Sequence, residues 1–201
     1  MIQIKNKNKR IKKVIIKPQY LCTDEKINAI DYLEKAFYFI DDTIYNLMAW
    51  KWVVIASHNA LYAFAICACA GTSPDLVAPI IKKGKNKGKR QLISFNKALE
   101  YCQNPNIMKM LVLSKTLALT VEQRESLDWL KNEFRDNFEH FSPKAWSIEL
   151  HGVPQNIIDI LDIIRFLAIE TGNIRISTTQ RKKIKSLVFQ SKARLKKSAL
   201  Y

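Results

Sequence analysis

The sequence has 201 residues, the length of one domain or of a domain of about 150 residues with extensions, so two independent cores are not expected. Hydrophobic residues make up 48% of the chain and glycine and proline are few (5 and 6), which is enough apolar material for a proper core and excludes global disorder. The net charge of +15 comes from 33 Lys and Arg against 18 Asp and Glu, and it favours a polyanionic partner where those charges cluster.

The N-terminal part of the chain predicts a basic extension followed by two helices. Residues 1–23 form the extension, because no helical periodicity occurs before a helix start at Thr23 and Asp24. From Asp24 to Met48 apolar residues recur every three or four positions, which predicts an amphipathic helix. Trp52 to Ala70 carries no charge over 19 positions, long enough for a membrane span to be considered. His58 and Asn59 near its middle favour instead the central helix of a bundle, so no membrane partner is expected.

The middle of the chain predicts a loop and then shorter helices. Residues 82–90 read KKGKNKGKR, a glycine-punctuated basic run that is expected to be a mobile loop. Short helices are expected near 94–103 and 107–114. Thr120 and Gln123 form a capping box, which predicts a helix that continues through Phe138 towards Phe141.

The C-terminal part predicts one more core helix and a second basic extension. Pro154 begins a helix with apolar residues at helical spacing, and Gly172 ends it. Residues 174–201 are expected to be a basic tail or a last cationic helix. The expected fold is therefore all-α, an up-and-down bundle of four to five helices over residues 24–173, with basic N- and C-terminal extensions and a basic loop at 82–90.

The basic residues are concentrated in three segments of the chain. Residues 1–20 carry seven, 82–90 carry six and 174–201 carry nine, with no acidic residue in any of them. The rest of the chain holds 11 basic residues against all 18 acidic ones. Basic segments on an otherwise acidic domain are suited to bind a phosphate backbone. They could equally bind an anionic membrane or serve only to keep the protein in solution. The residues predicted to bind RNA are those of the loop: Lys82, Lys83, Lys85, Lys87, Lys89 and Arg90.

Several classes of site have no support in the sequence. The four cysteines, Cys22, Cys67, Cys69 and Cys102, lack the paired spacing of a zinc site, and no nucleotide-binding, zinc-protease or serine-hydrolase motif occurs. Neither a metal nor another cofactor is therefore expected. No secretory leader is expected at the N-terminus, and the cysteines are expected to be reduced, buried thiols of a cytoplasmic protein.

The best candidate for chemistry is the segment 135–140, which reads RDNFEH. Asp136 and His140 are four residues apart and share one face of an α-helix, so the carboxylate can orient the imidazole and raise its basicity. Arg135 lies about 140° around the helix from His140, near enough for a guanidinium to reach the same phosphate. Arg135, Asp136 and His140 are therefore the candidate catalytic residues.

This segment resembles the motif of the HEPN superfamily of helical ribonucleases and RNA-binding proteins, in which a histidine follows an arginine by five positions. The likeness extends to WKWVVIASHNAL and NEFRDNFEHFSPKAWSIELHGVP, and so covers about residues 24–171. The resemblance implies a homodimer in which two Arg–His pairs form one composite site that cleaves RNA without metal. A toxin or defence component is one role that it suggests. The tyrosine that some relatives carry two positions after the histidine is replaced by Ser142, so its modification by an antitoxin is not expected.

Other interpretations of the same residues stay open. Arg135 and Glu139 can form an ordinary ion pair between adjacent helical turns, and His140 can cap a helix C-terminus. The protein would then be a non-catalytic module that binds nucleic acid through the basic segments or a partner protein through the bundle. His58 and Asn59 are interpreted as a hydrogen-bonded core pair rather than contributors to the site. A membrane-associated effector that uses Trp52 to Ala70 is the third interpretation.

Overall fold

The computed structural model describes residues 19–71, 73–135, 145 and 147–201, with the backbone alone given for residues 133–135. The helices are α1 (Glu25–Asp42), α2 (Ala49–Ala70), α3 (Phe95–Cys102), α4 (Pro105–Met108), α5 (Val121–Trp129), α6 (Val153–Arg165) and α7 (Thr178–Leu195). A π-helical turn follows α5 at Leu130–Arg135, and another follows α6 at Phe166–Glu170. The part of the chain described is thus all-α, as predicted, with five longer helices and the two short helices α3 and α4.

The connection between α1 and α2 differs from the prediction. The sequence predicts a helix as far as Met48, but α1 ends at Asp42 and a turn precedes α2. In this turn the Thr43 hydroxyl donates to the Ile40 carbonyl at 2.7 Å, and the Asn46 side chain accepts from the Met48 amide at 2.9 Å. Such side-chain bonds compete with helical ones and let the chain reverse, so that α2 packs on α1. The apolar residues of the turn remain exposed: Ile44 (75%), Leu47 (66%) and Met48 (62%).

Helix α2 lies at the centre of the core. It packs against α1, α3 and α6, and Leu61 and Phe64 are fully buried while Trp50 is 2% exposed. Within the described residues it is the one helix whose length and composition would allow it to cross a membrane. Yet 72% of its most apolar window is buried inside the protein, as expected for a central bundle helix.

Helix α7 closes the bundle from the outside. Its buried residues occur at helical spacing, with Ile184, Val188 and Leu195 each no more than 2% exposed. Ion pairs then tie the helix to its two neighbours: Lys183 to Glu34 (2.9 Å) and Arg194 to Asp41 (2.7 Å) on α1, and Lys192 to Asp162 (2.5 Å) on α6. The two pairs with α1 follow the same order along both helices, so α7 is parallel to α1. The Gly152 amide, just before α6, donates to the Leu200 carbonyl, just after α7, at 2.9 Å, so α7 is antiparallel to α6. Residues 174–201, expected as a tail or a cationic helix, thus contain a helix that packs on the bundle.

Asn173 joins three segments of the chain at one end of the bundle. Its amide group donates to the Ala68 carbonyl of α2 at 3.2 Å and to the Met108 carbonyl of α4 at 2.9 Å. Its amide oxygen accepts from the Ser114 hydroxyl at 2.6 Å. These bonds hold residues 109–115 as a loop, whereas the sequence predicts a helix at 107–114; α4 ends at Met108. Asn173 thereby satisfies a carbonyl that the last turn of α2 leaves without a helical partner.

Candidate nucleic-acid interface

The predicted catalytic segment begins at the last residue of the π-helical turn that follows α5. The capping box at Thr120 and Gln123 is confirmed, with both reciprocal hydrogen bonds formed at 3.2 Å. The α-helix ends at Trp129 and a π-helical turn continues it to Arg135, so the predicted helix is present up to this residue, although its last part is π-helical. The predicted continuation through Phe138 towards Phe141 lies outside the described residues. Short π-helical segments are frequent at functional sites.

The candidate catalytic residues are incompletely described. Arg135 is the last residue of the π-helical turn, and its side chain is outside the described part. Asp136 and His140 lie outside the described residues. Their assignment to catalysis therefore remains a prediction from the sequence.

Helix α5, which leads to this segment, is anchored to α6 by a buried polar contact. Ser126 is 2% exposed, and its hydroxyl lies 3.2 Å from the Asn156 side-chain oxygen and 2.8 Å from an Asp159 carboxylate oxygen. The other carboxylate oxygen of Asp159 accepts from Gln155 at 2.8 Å. Leu130, one turn beyond Ser126, is fully buried. The chain is therefore anchored to the bundle core as far as Leu130, five residues before the RDNFEH segment begins.

The basic loop at 82–90 has a hairpin backbone. Ile80 and Arg90 form an antiparallel bridge, and the Ile81 amide donates to the Lys89 carbonyl at 2.9 Å. Gly84 and Gly88, at φ of +86° and +85°, provide the left-handed backbone that the turn between them requires. The sequence predicts a loop here, because its side chains cannot form a packed core. The segment nevertheless forms a hairpin, since hydrogen bonds between main-chain groups do not depend on which side chains the residues carry.

The six predicted RNA-binding residues have different surroundings on this hairpin. Arg90 forms an ion pair with Asp75 at 2.5 Å and donates to the Ala78 carbonyl at 3.0 Å, so it braces the base of the hairpin. The five lysines are exposed and form no ion pair within the described part of the chain: Lys82, Lys83, Lys85, Lys87 and Lys89. The tip of the hairpin is therefore a concentrated cationic surface held at a defined place.

A second cationic surface, which the sequence did not delimit, lies on the outer face of α7. The helix contains six basic residues and no acidic one, and most of its larger apolar residues are buried against the core: Ile184, Leu187, Val188 and Leu195. Lys182, Lys185 and Lys196 are exposed, and Phe189 among them is 74% exposed. The signal available in the sequence was the apolar run Leu187, Val188 and Phe189, because successive helical residues are 100° apart and such a run spans more than one face.

The two histidines in the described part are in different environments. His58 is 3% exposed, with its Nδ1 3.3 Å from the Asn59 side-chain oxygen and its ring centroid 4.5 Å from that of Phe95. This agrees with the interpretation of His58 and Asn59 as a core pair. His151 is exposed in the turn before α6. Neither position by itself indicates a catalytic role.

The cysteines form no disulfide, but they are not all buried. Cys22 is exposed and Cys67 is half-buried, so the expectation of four buried thiols is wrong for these two. Burial, reinforced by Glu25 and Asp24, raises the pKa of Cys67 to about 12, which keeps this thiol protonated and unreactive at neutral pH. Cys69 and Cys102 are buried with their sulfurs 3.4 Å apart, and this contact together with burial raises the pKa of Cys102. Within the described residues no group of three or more His, Cys, Asp or Glu side chains is placed to hold a metal.

Comparison of the chain with protein-family models, with curated proteins and with solved structures finds no match.

Proposed function

We propose that this protein is a metal-independent endoribonuclease that binds RNA through its basic surfaces. The observation that carries the proposal is the hairpin at 80–90, where five exposed lysines without ion pairs among the described residues are held on a braced backbone. Such a surface attracts a phosphate backbone through release of counterions. The resemblance of residues 135–140 to the HEPN motif provides the chemistry, and the π-helical turn that ends at Arg135 supports a functional role for this segment.

The proposed reaction is attack of an RNA 2′-hydroxyl on the adjacent phosphate. His140 of one protomer takes the proton of the 2′-hydroxyl, whose oxygen then forms a bond to phosphorus. The bond from phosphorus to the 5′-oxygen breaks, and that oxygen receives a proton from the histidine of a second protomer. Arg135 stabilises the charge on the phosphate oxygens, and Asp136 orients His140. A homodimer is needed because one copy of the motif provides a single histidine.

Cleavage of RNA in the presence of a chelator tests this proposal. Purified wild type is expected to cut a mixture of structured and single-stranded RNA in EDTA, while His140→Ala and Arg135→Ala each reduce the rate by about 100-fold or more. His151→Ala is the matched control, because this exposed histidine lies outside the proposed site and its loss is expected to leave the rate unchanged. Cleavage that persists at the wild-type rate in both motif variants would contradict the assignment. Sedimentation of the same samples measures the molecular mass and so shows whether the protein is a dimer.

The exposed lysines also favour a second candidate function, a non-catalytic RNA-binding module. Wild type would then bind RNA without cutting it. Replacing the five hairpin lysines by alanine is expected to weaken binding and to lower the dependence of affinity on salt, because fewer counterions are released. The absence of cleavage together with this salt effect would select the second candidate. A role in a cytoplasmic toxin or defence system, with or without an antitoxin, belongs to the first.

A further inference from the structure

A groove of about 630 Å³ lies between α6 and α7, on the outer side of the bundle. Its lining includes one acidic side chain, Asp162, and four basic ones. The basic residues of the groove are Arg165, Lys185, Lys192 and Lys196. Phe189, which is 74% exposed, also lines it.

Only some of the groove's cations are neutralised by neighbouring carboxylates. Lys192 contacts Asp162 at 2.5 Å, and Arg165 contacts Glu170 at 2.7 Å. Lys185 and Lys196 form no ion pair with any side chain in the described ranges. The groove therefore has a net positive charge and two lysines that are available to an anion.

The spacing of these groups along α7 places an aromatic ring between two cations. Lys185 precedes Phe189 by four residues, about one turn, and Lys196 follows it by seven, about two turns, so the three side chains lie on one face of the helix. Contact of the exposed Phe189 ring with water is unfavourable in free energy, and packing does not offset this cost. The preceding residue, Val188, is by contrast buried. An aromatic ring flanked by cations in a groove is the arrangement with which proteins bind single-stranded nucleic acid, the base on the ring and the phosphates on the cations.

We propose that the groove between α6 and α7 binds single-stranded RNA, with a base stacked on Phe189 and the flanking phosphates on Lys185 and Lys196. The inference rests on the proposed function and names the form of RNA that this surface recognises. A base within a duplex has no free face for Phe189, so duplex RNA does not gain the stacking contact. A groove with one aromatic residue fits a strand better than a membrane, since a membrane-binding surface presents several apolar side chains together.

Fluorescence anisotropy with a short labelled RNA of mixed sequence tests the groove. All variants carry His140→Ala, so that the RNA is not cut during the measurement. Phe189→Ala is expected to weaken binding of the single strand by about tenfold, and Phe189→Tyr to preserve it, because both aromatic rings offer a face for stacking. Lys185→Ala with Lys196→Ala is expected to lower the slope of log affinity against log salt by about 1.4, the contribution of two phosphates of a single strand.

Three controls separate the possible outcomes. Tyr38→Ala removes an aromatic residue of α1 that is 51% exposed and is expected to leave binding unchanged. Duplex RNA of the same sequence is expected to bind Phe189→Ala as well as it binds the parent, and vesicles with anionic lipids should bind neither protein. Equal affinity of Phe189→Ala and the parent for the single strand would overturn the groove proposal alone. Failure of the parent to bind any RNA would overturn the proposed function as well. If the protein binds vesicles and this binding depends on Phe189, the ligand of the groove is a membrane and not RNA.

Discussion

Helices α2 and α7 differ in what each contributes to the molecule. In α2, 15 of 22 residues are buried and Lys51 is the one charged residue, whereas in α7 five of 18 residues are buried and six are basic. A helix surrounded by neighbours must be apolar on nearly all sides, but a helix that covers the bundle needs only one apolar face. The high charge of the C-terminal region is therefore compatible with its place in the fold, because burial of one stripe anchors α7 while the other face stays in contact with solvent.

The same substitution in the two helices provides the sharpest test of this difference. Phe64→Ala in α2 is expected to lower the free energy of unfolding by about 4 kcal/mol, because Phe64 is fully buried and its loss leaves a cavity. Phe189→Ala in α7 is expected to change it by less than about 0.5 kcal/mol, because the ring is 74% exposed. Urea unfolding followed by circular dichroism measures both. Similar losses in the two variants would show that Phe189 is a packing residue and that α7 does not present a free face.

Asn173 tests the link between the end of α2 and the chain that leads into α7. Asn173→Ala is expected to lower the free energy of unfolding by about 2 kcal/mol, because the Ala68 and Met108 carbonyls lose their donor. Asn106→Ala is a suitable comparison, since the Asn106 side chain has no hydrogen bond within the described residues and its loss should cost little. If the two variants unfold at the same urea concentration, Asn173 does not hold the segments together.

A smaller loss of stability than at Asn173 is expected at the start of α7. Ser177 caps this helix by accepting from the Gln180 amide at 3.2 Å, so Ser177→Ala is expected to cost about 1 kcal/mol. Thr179→Ala in the first turn removes no cap and is expected to leave stability unchanged or slightly raised, because alanine favours helix. Thermal unfolding of the pair measures the difference. A Ser177 variant as stable as the Thr179 variant would mean that α7 is held by its buried face alone.

The candidate site was predictable from the sequence in part. The basic run at 82–90 is visible as a local cluster of charge, and the capping box at Thr120 needs only residues three apart. The groove between α6 and α7 was not predictable, since Arg165 and Lys192 belong to helices whose pairing depends on the whole fold. Arg90 likewise pairs with Asp75, a residue that lies before the hairpin, so the sequence could not separate Arg90 from the five exposed lysines.

The all-α class and the central position of α2 follow from local patterns in the chain, because apolar periodicity and the lack of charge act within a single helix. The three-dimensional fold sets the turn after Asp42, since exposed and buried apolar side chains show the same spacing until a neighbour covers one of them. It also decided that residues 178–195 cover the bundle, because burial of Ile184 and Val188 requires α1 and α6 to stand beside them. Local patterns specify helices, but which face meets water depends on contacts between residues far apart in the chain.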